Sequence, residues 1–107
     1  MKYISTISLE LPFLSDGQRQ ELDRWIQSLL WEGILLGTNT PQRISIHRTK
    51  GRIAMTNNEE WILQGVREVY EFKYNGKSQG ENSKIVLIGE GLQKLDIEKS
   101  LHLYLGI

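Results

Sequence analysis

The chain has 107 residues, with thirteen Lys and Arg balanced by thirteen Asp and Glu, and it contains no cysteine. That length builds a single domain, residues 1–107, around one core, and zero formal charge removes the broad attraction that draws basic proteins to nucleic acid and anionic membranes. Without cysteine there is no disulfide framework, thiolate nucleophile or thiolate metal ligand, and the cytoplasm is the expected compartment. The longest apolar runs, SLLW and IVLI, fall far short of the roughly 18 residues of a membrane span, and MKYISTISLELPF lacks the apolar stretch of a signal peptide.

From Ile7 to Leu11 apolar and polar residues alternate, which predicts a half-buried strand that Pro12 ends. Ser15 with Gln18 three residues on makes a capping box. Leu22, Trp25, Ile26, Leu29 and Leu30 follow at helical spacing, so a helix is expected over about 16–32, stopped by Gly33. GILLGTNTPQ (33–42) reads as a loop, and RISIHRTKGRIAMT (43–56) as two strands or one strand sharply bent at Gly51. NNEE supplies a solvated turn. WILQGVREVYEFKY (61–74) reads as one long β segment with a bulge at Gly65, followed by the polar loop NGKSQGENS. KIVLIG (84–89) is apolar without alternation, as in a strand covered on both faces, and LQKLDIEKSLHLYL (92–105) makes a second helix. The expected fold is α+β: a mainly antiparallel sheet of four to five strands covered by two helices, in the order β-α-β-β-β-β-α.

Candidate chemistry is sparse. Strand, Gly89, Glu90, Gly91 and helix follow the order of a dinucleotide-binding turn, but Lys94 stands where the third glycine belongs. Glu90 opposes a phosphate, and no room remains for a returning strand. The expected role of Gly91 is a positive φ in the strand-to-helix turn, with Gln93 or Asp96 capping the helix and Glu98 in its first turn. His47, opposite the Ile44 and Ile46 face, and His102 in the last helix are far apart in sequence and lack the paired spacing of a zinc site. No G-x-S-x-G elbow occurs, and Trp25, Trp31 and Trp61 are expected in the core and at its rim. One electrostatic feature remains: Gly33 to Asn58 contains no acidic residue, while Arg48, Lys50 and Arg52 share one face if the segment is extended. That face is either solvated or a docking surface for an acidic partner.

LLWEG at the end of the first helix, RTKG at 48–51, LQGVREVYEF at 63–72 and KIVLIGEGLQK at 84–94 occur together and in this order in the C-terminal domain of CobW-type metallochaperone GTPases. The resemblance runs from about Ile4 to Leu105 and is nearest to the eukaryotic branch, the zinc-regulated GTPase metalloprotein activators. It implies a CobW C-terminal fold preceded, in the intact protein, by a GTPase domain with a P-loop and a Cys-rich metal motif. Neither motif occurs here, so GTP, magnesium and zinc are expected to belong to that other domain, and this chain to hold no catalytic, cofactor-binding or metal residue. The implied partners are the GTPase domain of the same protein and a client metalloprotein, of methionine aminopeptidase type, with no nucleic acid and no membrane.

Arg48, Lys50 and Gly51 match the family's R-x-K-G, Gln64, Gly65 and Val66 its Q-G-V, and Gly89 the glycine after its last strand. Arg67 stands where many relatives carry His and cannot ligate a metal, and His47 stands where relatives more often carry an apolar residue. The resulting candidate interaction site is Arg48, Lys50, Gly51, Arg52 and Gln64, with Gly51 bending the strand to present the charges. The alternative is a free-standing module or enzyme that binds a small ligand or nucleotide at the Gly89 to Gly91 turn.

Overall fold

The computed structural model describes residues 3–37 and 43–107; part of the expected 33–42 loop therefore lies outside the described residues. Ile7, Leu9 and Leu11 form the inward side of strand β1 (Ile4–Leu11). The capping box closes as expected: Ser15 N donates to Gln18 Oε1 at 3.0 Å and Gln18 N donates to Ser15 Oγ at 3.2 Å, satisfying two backbone donors at the start of helix α1 (Asp16–Glu32). Gly33 ends that helix in the left-handed region, φ 67°, a conformation that glycine adopts without a Cβ penalty.

Four more strands follow, β2 (Ser45–Ala54), β3 (Glu59–Val66), β4 (Val69–Lys77) and β5 (Ser83–Glu90), and helix α2 (Lys94–Leu105). The five strands pair antiparallel in the order β1-β5-β2-β3-β4, and an isolated parallel bridge joins Leu14 to Met55. The element order expected from the sequence is present, but two boundaries fall elsewhere. Residues 45–54 form one strand, and Gly51 does not bend it: it pairs with Leu63 and Ile85, and a Cβ there would meet Leu63 Cβ and Ile85 Cγ1 at 3.3 Å. The irregularity of β2 lies between Ile46 and Arg48, at His47. The segment 61–74 is a hairpin, turned by Arg67 at φ 56° between the paired Val66 and Val69. A positive φ on a residue other than Gly, Asn or Asp is the kind of turn that composition does not announce. Gly65 is no bulge. It lies opposite Tyr70, whose Cβ would stand 2.9 Å from an added one.

Both helices pack on the face that carries Leu9, Ile53, Leu63, Ile85 and Leu87, all buried. Trp25 is fully buried and donates from Nε1 to Ser100 Oγ at 3.0 Å, joining α1 to α2. The Arg19 guanidinium lies 4.8 Å from the Trp61 ring centroid and 5.8 Å from that of Phe72, a cation–π contact that seats α1 over β3 and β4. Trp31 is 56% exposed yet donates to the Glu68 carbonyl at 2.9 Å, fastening the end of α1 to the β3–β4 hairpin. Glu60 is not in a solvated turn: it is buried, accepts from Asn75 Nδ2 at 2.6 Å and faces Arg52 at 3.8 Å. β5 is covered on one face only, since Val86 and Ile88 point away from the helices and are half-buried.

The turn into α2 is shaped by close backbone approach. A Cβ on Gly89 would lie 2.2 Å from the Ser45 carbonyl oxygen, and one on Gly91, at φ 75°, 2.0 Å from that of Arg43. Gln93 occupies the N-cap without a side-chain bond, and Asp96, not Glu98, lies in the first turn. Gly89→Ala is expected to lower stability by about 1–3 kcal/mol through overpacking, whereas Gly17→Ala, with nothing nearer than 4.0 Å, is expected to be neutral or to raise it by up to about 1 kcal/mol. Urea denaturation of the two variants checks the contrast.

Tyr70 donates to Asp23 Oδ1 at 2.5 Å. Burial, followed by that bond and the Asp23 charge, raises its phenol well above the usual 10.0. The unfolded chain therefore releases this proton first, so the stabilisation is fully present below pH 10 and is lost as pH rises through the folded-state value. Stability of the parent, followed by urea denaturation from about pH 8 to about pH 11, is expected to fall more steeply than that of Tyr70→Phe.

Candidate functional site

Because both helices take one face, the other face of the sheet carries no helix among the described residues. Register places its side chains in rows across the strands. Val69, Val66, Arg48 and Ile88 form one row, and Glu71, Gln64, Lys50 and Val86 the next. Arg48 and Lys50 thus stand on the central strand, Arg48 between Val66 and Ile88 and Lys50 between Gln64 and Val86. Together they surround a concavity of about 480 Å³. Val66 and Val69 are 58% and 78% exposed, far more than apolar residues in a sheet usually are.

The three cations share a face, and the structure separates their roles. Arg52 is held within the domain, at 3.0 Å from Glu81, 3.8 Å from Glu60 and 2.9 Å from the Asn82 carbonyl. Arg48 and Lys50 have neither an ion pair nor a side-chain hydrogen bond among the described residues. Gln64 also has an internal partner, donating from Nε2 to Glu71 Oε1 at 3.0 Å. Gly51 lies on this strand but its missing side chain would point to the helix side, between Leu63 and Ile85. It supports the core and presents no charge.

The hairpin at the end of the face is pinned from behind: Arg67 N donates to the His47 carbonyl at 3.0 Å, and the Glu68 carbonyl accepts from Trp31. His47 contributes its backbone at the β2 irregularity, while His102 belongs to α2. Among the described residues no three His, Asp or Glu side chains cluster closely enough to hold a metal, and no helix is long and apolar enough to cross a membrane. At the Gly89 to Gly91 turn, the space that an added Cβ would take up is already occupied by the Arg43 and Ser45 carbonyls, oxygen acceptors that repel a phosphate. Lys84 and Lys73, in the row of Arg52, likewise have no ion pair among the described residues, so the open face offers unpaired cations suited to carboxylates, beside apolar side chains.

Charge patterning does not reveal the apolar side chains of this face: the unbroken apolar run places Val86 and Ile88 in a doubly covered strand, and the long β segment places Val66 and Val69 in its middle, whereas the Val-x-x-Val spacing around a two-residue turn is the signal that marks the hairpin.

The family model described as the cobalamin synthesis protein cobW C-terminal domain matches residues 6–105. Among solved structures, the zinc(II)-bound YjiA GTPase from E. coli is similar with a TM-score of 0.67 and 22% identity, over 91% of this chain and 28% of that one. A zinc(II)-bound triple mutant of YjiA GTPase is similar with a TM-score of 0.67 and 24% identity, over 91% and 28%. These likenesses are of fold, and the chain spans 28% of the length of the proteins it matches. With nearly its whole length inside the family model, and with an antiparallel sheet backed by two helices, the chain belongs to the CobW C-terminal domain family.

Proposed function

We propose that this chain is the interaction and regulatory domain of a GTP-dependent zinc chaperone, and that it acts by binding protein and does not itself catalyse a reaction. The observation that carries this reading is the sheet face that no described helix covers, with Arg48 unpaired between Val66 and Ile88 and Lys50 unpaired between Gln64 and Val86. Membership of the CobW C-terminal family supports it, as does similarity to a zinc-bound GTPase of which the chain matches only a part. Arg48 and Lys50 also fall on the R-x-K-G that marks the resemblance. Zinc is then cargo, carried and released by a GTPase domain that this domain docks on or directs to a client. A methionine aminopeptidase-type metalloprotein is the client that the zinc-chaperone branch suggests.

The chain is expected to bind neither GTP–Mg²⁺ nor GDP in calorimetry, and to keep its thermal midpoint in a chelator. Added in trans to the GTPase domain of a CobW-type protein, it is expected to change GTP hydrolysis or nucleotide affinity severalfold. Micromolar nucleotide binding by the chain itself would favour the small-ligand reading at the Gly89 to Gly91 turn, and an unchanged GTPase domain in every state would remove the regulatory role.

A further inference from the structure

The bare sheet face has the dimensions of a seat for one helix. A sheet face offers no free backbone donors or acceptors, since those of its strands are spent on the ladders, so an occupant must recognise side chains alone. An extended segment turns half its side chains away, whereas a helix presents a continuous stripe. Val66 on β3 and Ile88 on β5 stand on either side of Arg48 as its direct cross-strand neighbours. Two strand spacings, about 10 Å, separate the apolar walls, close to the ~10 Å diameter of an α-helix. Along the floor between them, Arg48 and Lys50 are two residues apart on β2, which places their Cα atoms about 7 Å apart. Side chains three or four positions apart on a helix are about 5–6 Å apart, within the reach that long Arg and Lys side chains adjust.

We propose that the open face of the sheet receives an acidic amphipathic helix from a protein partner, lying along β2, with carboxylates at i and i+4 paired to Arg48 and Lys50 and apolar side chains against Val66, Val69, Val86 and Ile88. This deepens the reading of the domain as an interaction module and rests on it. Charge complementarity fixes the occupant's sign: both cations on the floor lack an internal partner, while Glu71, the carboxylate in the Lys50 row, already accepts from Gln64. In the row below, Arg52 is bound to Glu81, and Lys84 and Lys73 stand on β5 and β4; all three are outside the recognition pair. The guanidinium of Arg48 suits a two-point contact with one carboxylate, and the Lys50 ammonium a point contact with the other.

The test uses the 107-residue chain and a stapled helical peptide bearing Glu at i and i+4 with Leu on either side. Methyl NMR and fluorescence anisotropy follow the titration. Saturable shifts of the Val66, Val69, Val86 and Ile88 methyls are expected, with affinity that falls as salt rises. Arg48→Glu with Lys50→Glu is expected to weaken binding by about tenfold or more, and a peptide with Lys in place of Glu to recover it on that variant. The neutral pair Arg48→Gln with Lys50→Gln, whose folding is checked by circular dichroism, is expected to bind with intermediate affinity and little salt dependence. Equal binding of the Glu and Lys peptides to the parent overturns the proposal, as do shifts confined to the sheet edges β1 and β4. Self-association of the chain through this face in sedimentation overturns it in favour of a second copy as occupant. If the chain still alters a GTPase domain while the peptide fails, the helix seat falls and the interaction module stands.

Discussion

Everything distinctive in this domain follows from both helices packing on the same side of one sheet. β1 leads into α1, which crosses to β2 and leaves a strand-wide gap between them; β5 later fills that gap and runs directly into α2. Since α1 and α2 cover one face together, joined by the bond from Trp25 to Ser100, a single apolar layer forms and no described helix covers the opposite face. Burial supplies most of the stabilisation on the covered side. On the open side side-chain choice is released from packing, and there the sequence places Arg48 and Lys50 among valines and isoleucines.

Stability does not account for that choice. Exposed charge pairs contribute about 0–1 kcal/mol and cross-strand pairs about 0.2–1 kcal/mol. Arg48 has two apolar cross-strand neighbours and no opposite charge, so it gains nothing from pairing. A solvated face is equally well made from mixed signs, and Arg52 on the same strand is answered by Glu81 and by Glu60 from outside its own row, which adds Lys73 and Lys84. The contrast within one strand separates a cation held inside the domain, Arg52, from Arg48 and Lys50, which have no partner among the described residues.

Much of the fold was legible because local chemistry and tertiary need agreed. Ser15, Gln18 and Gly33 mark α1 by rules that act within one turn of helix, and Ile7, Leu9 and Leu11 alternate on an edge strand with one face buried. The errors share a cause: glycine has several uses. Gly51 and Gly65 suggested a bend and a bulge, whereas both lie in regular pairing because Ile85, Leu63 and Tyr70 crowd against them from across the strands, contacts no local window contains. The hairpin was hidden because its turn residue is Arg67, held at φ 56° by bonds from its own amide and from Trp31 to its neighbour. For the site, the basic stripe was visible from spacing alone, but which cations remain unpaired depends on Glu60 and Glu81, outside that strand.

The account stands on the open face being covered in the working protein. Solvent paramagnetic relaxation of methyl groups measures that directly, on the 107-residue chain alone and with the GTPase domain of a CobW-type protein added in its GTP and GDP states. The account predicts that Val66, Val69, Val86 and Ile88 become shielded in at least one of these states, while the exposed Leu95 and Leu103 of α2 stay accessible throughout. Shielding of the α2 leucines with the sheet-face methyls open in every state would contradict it.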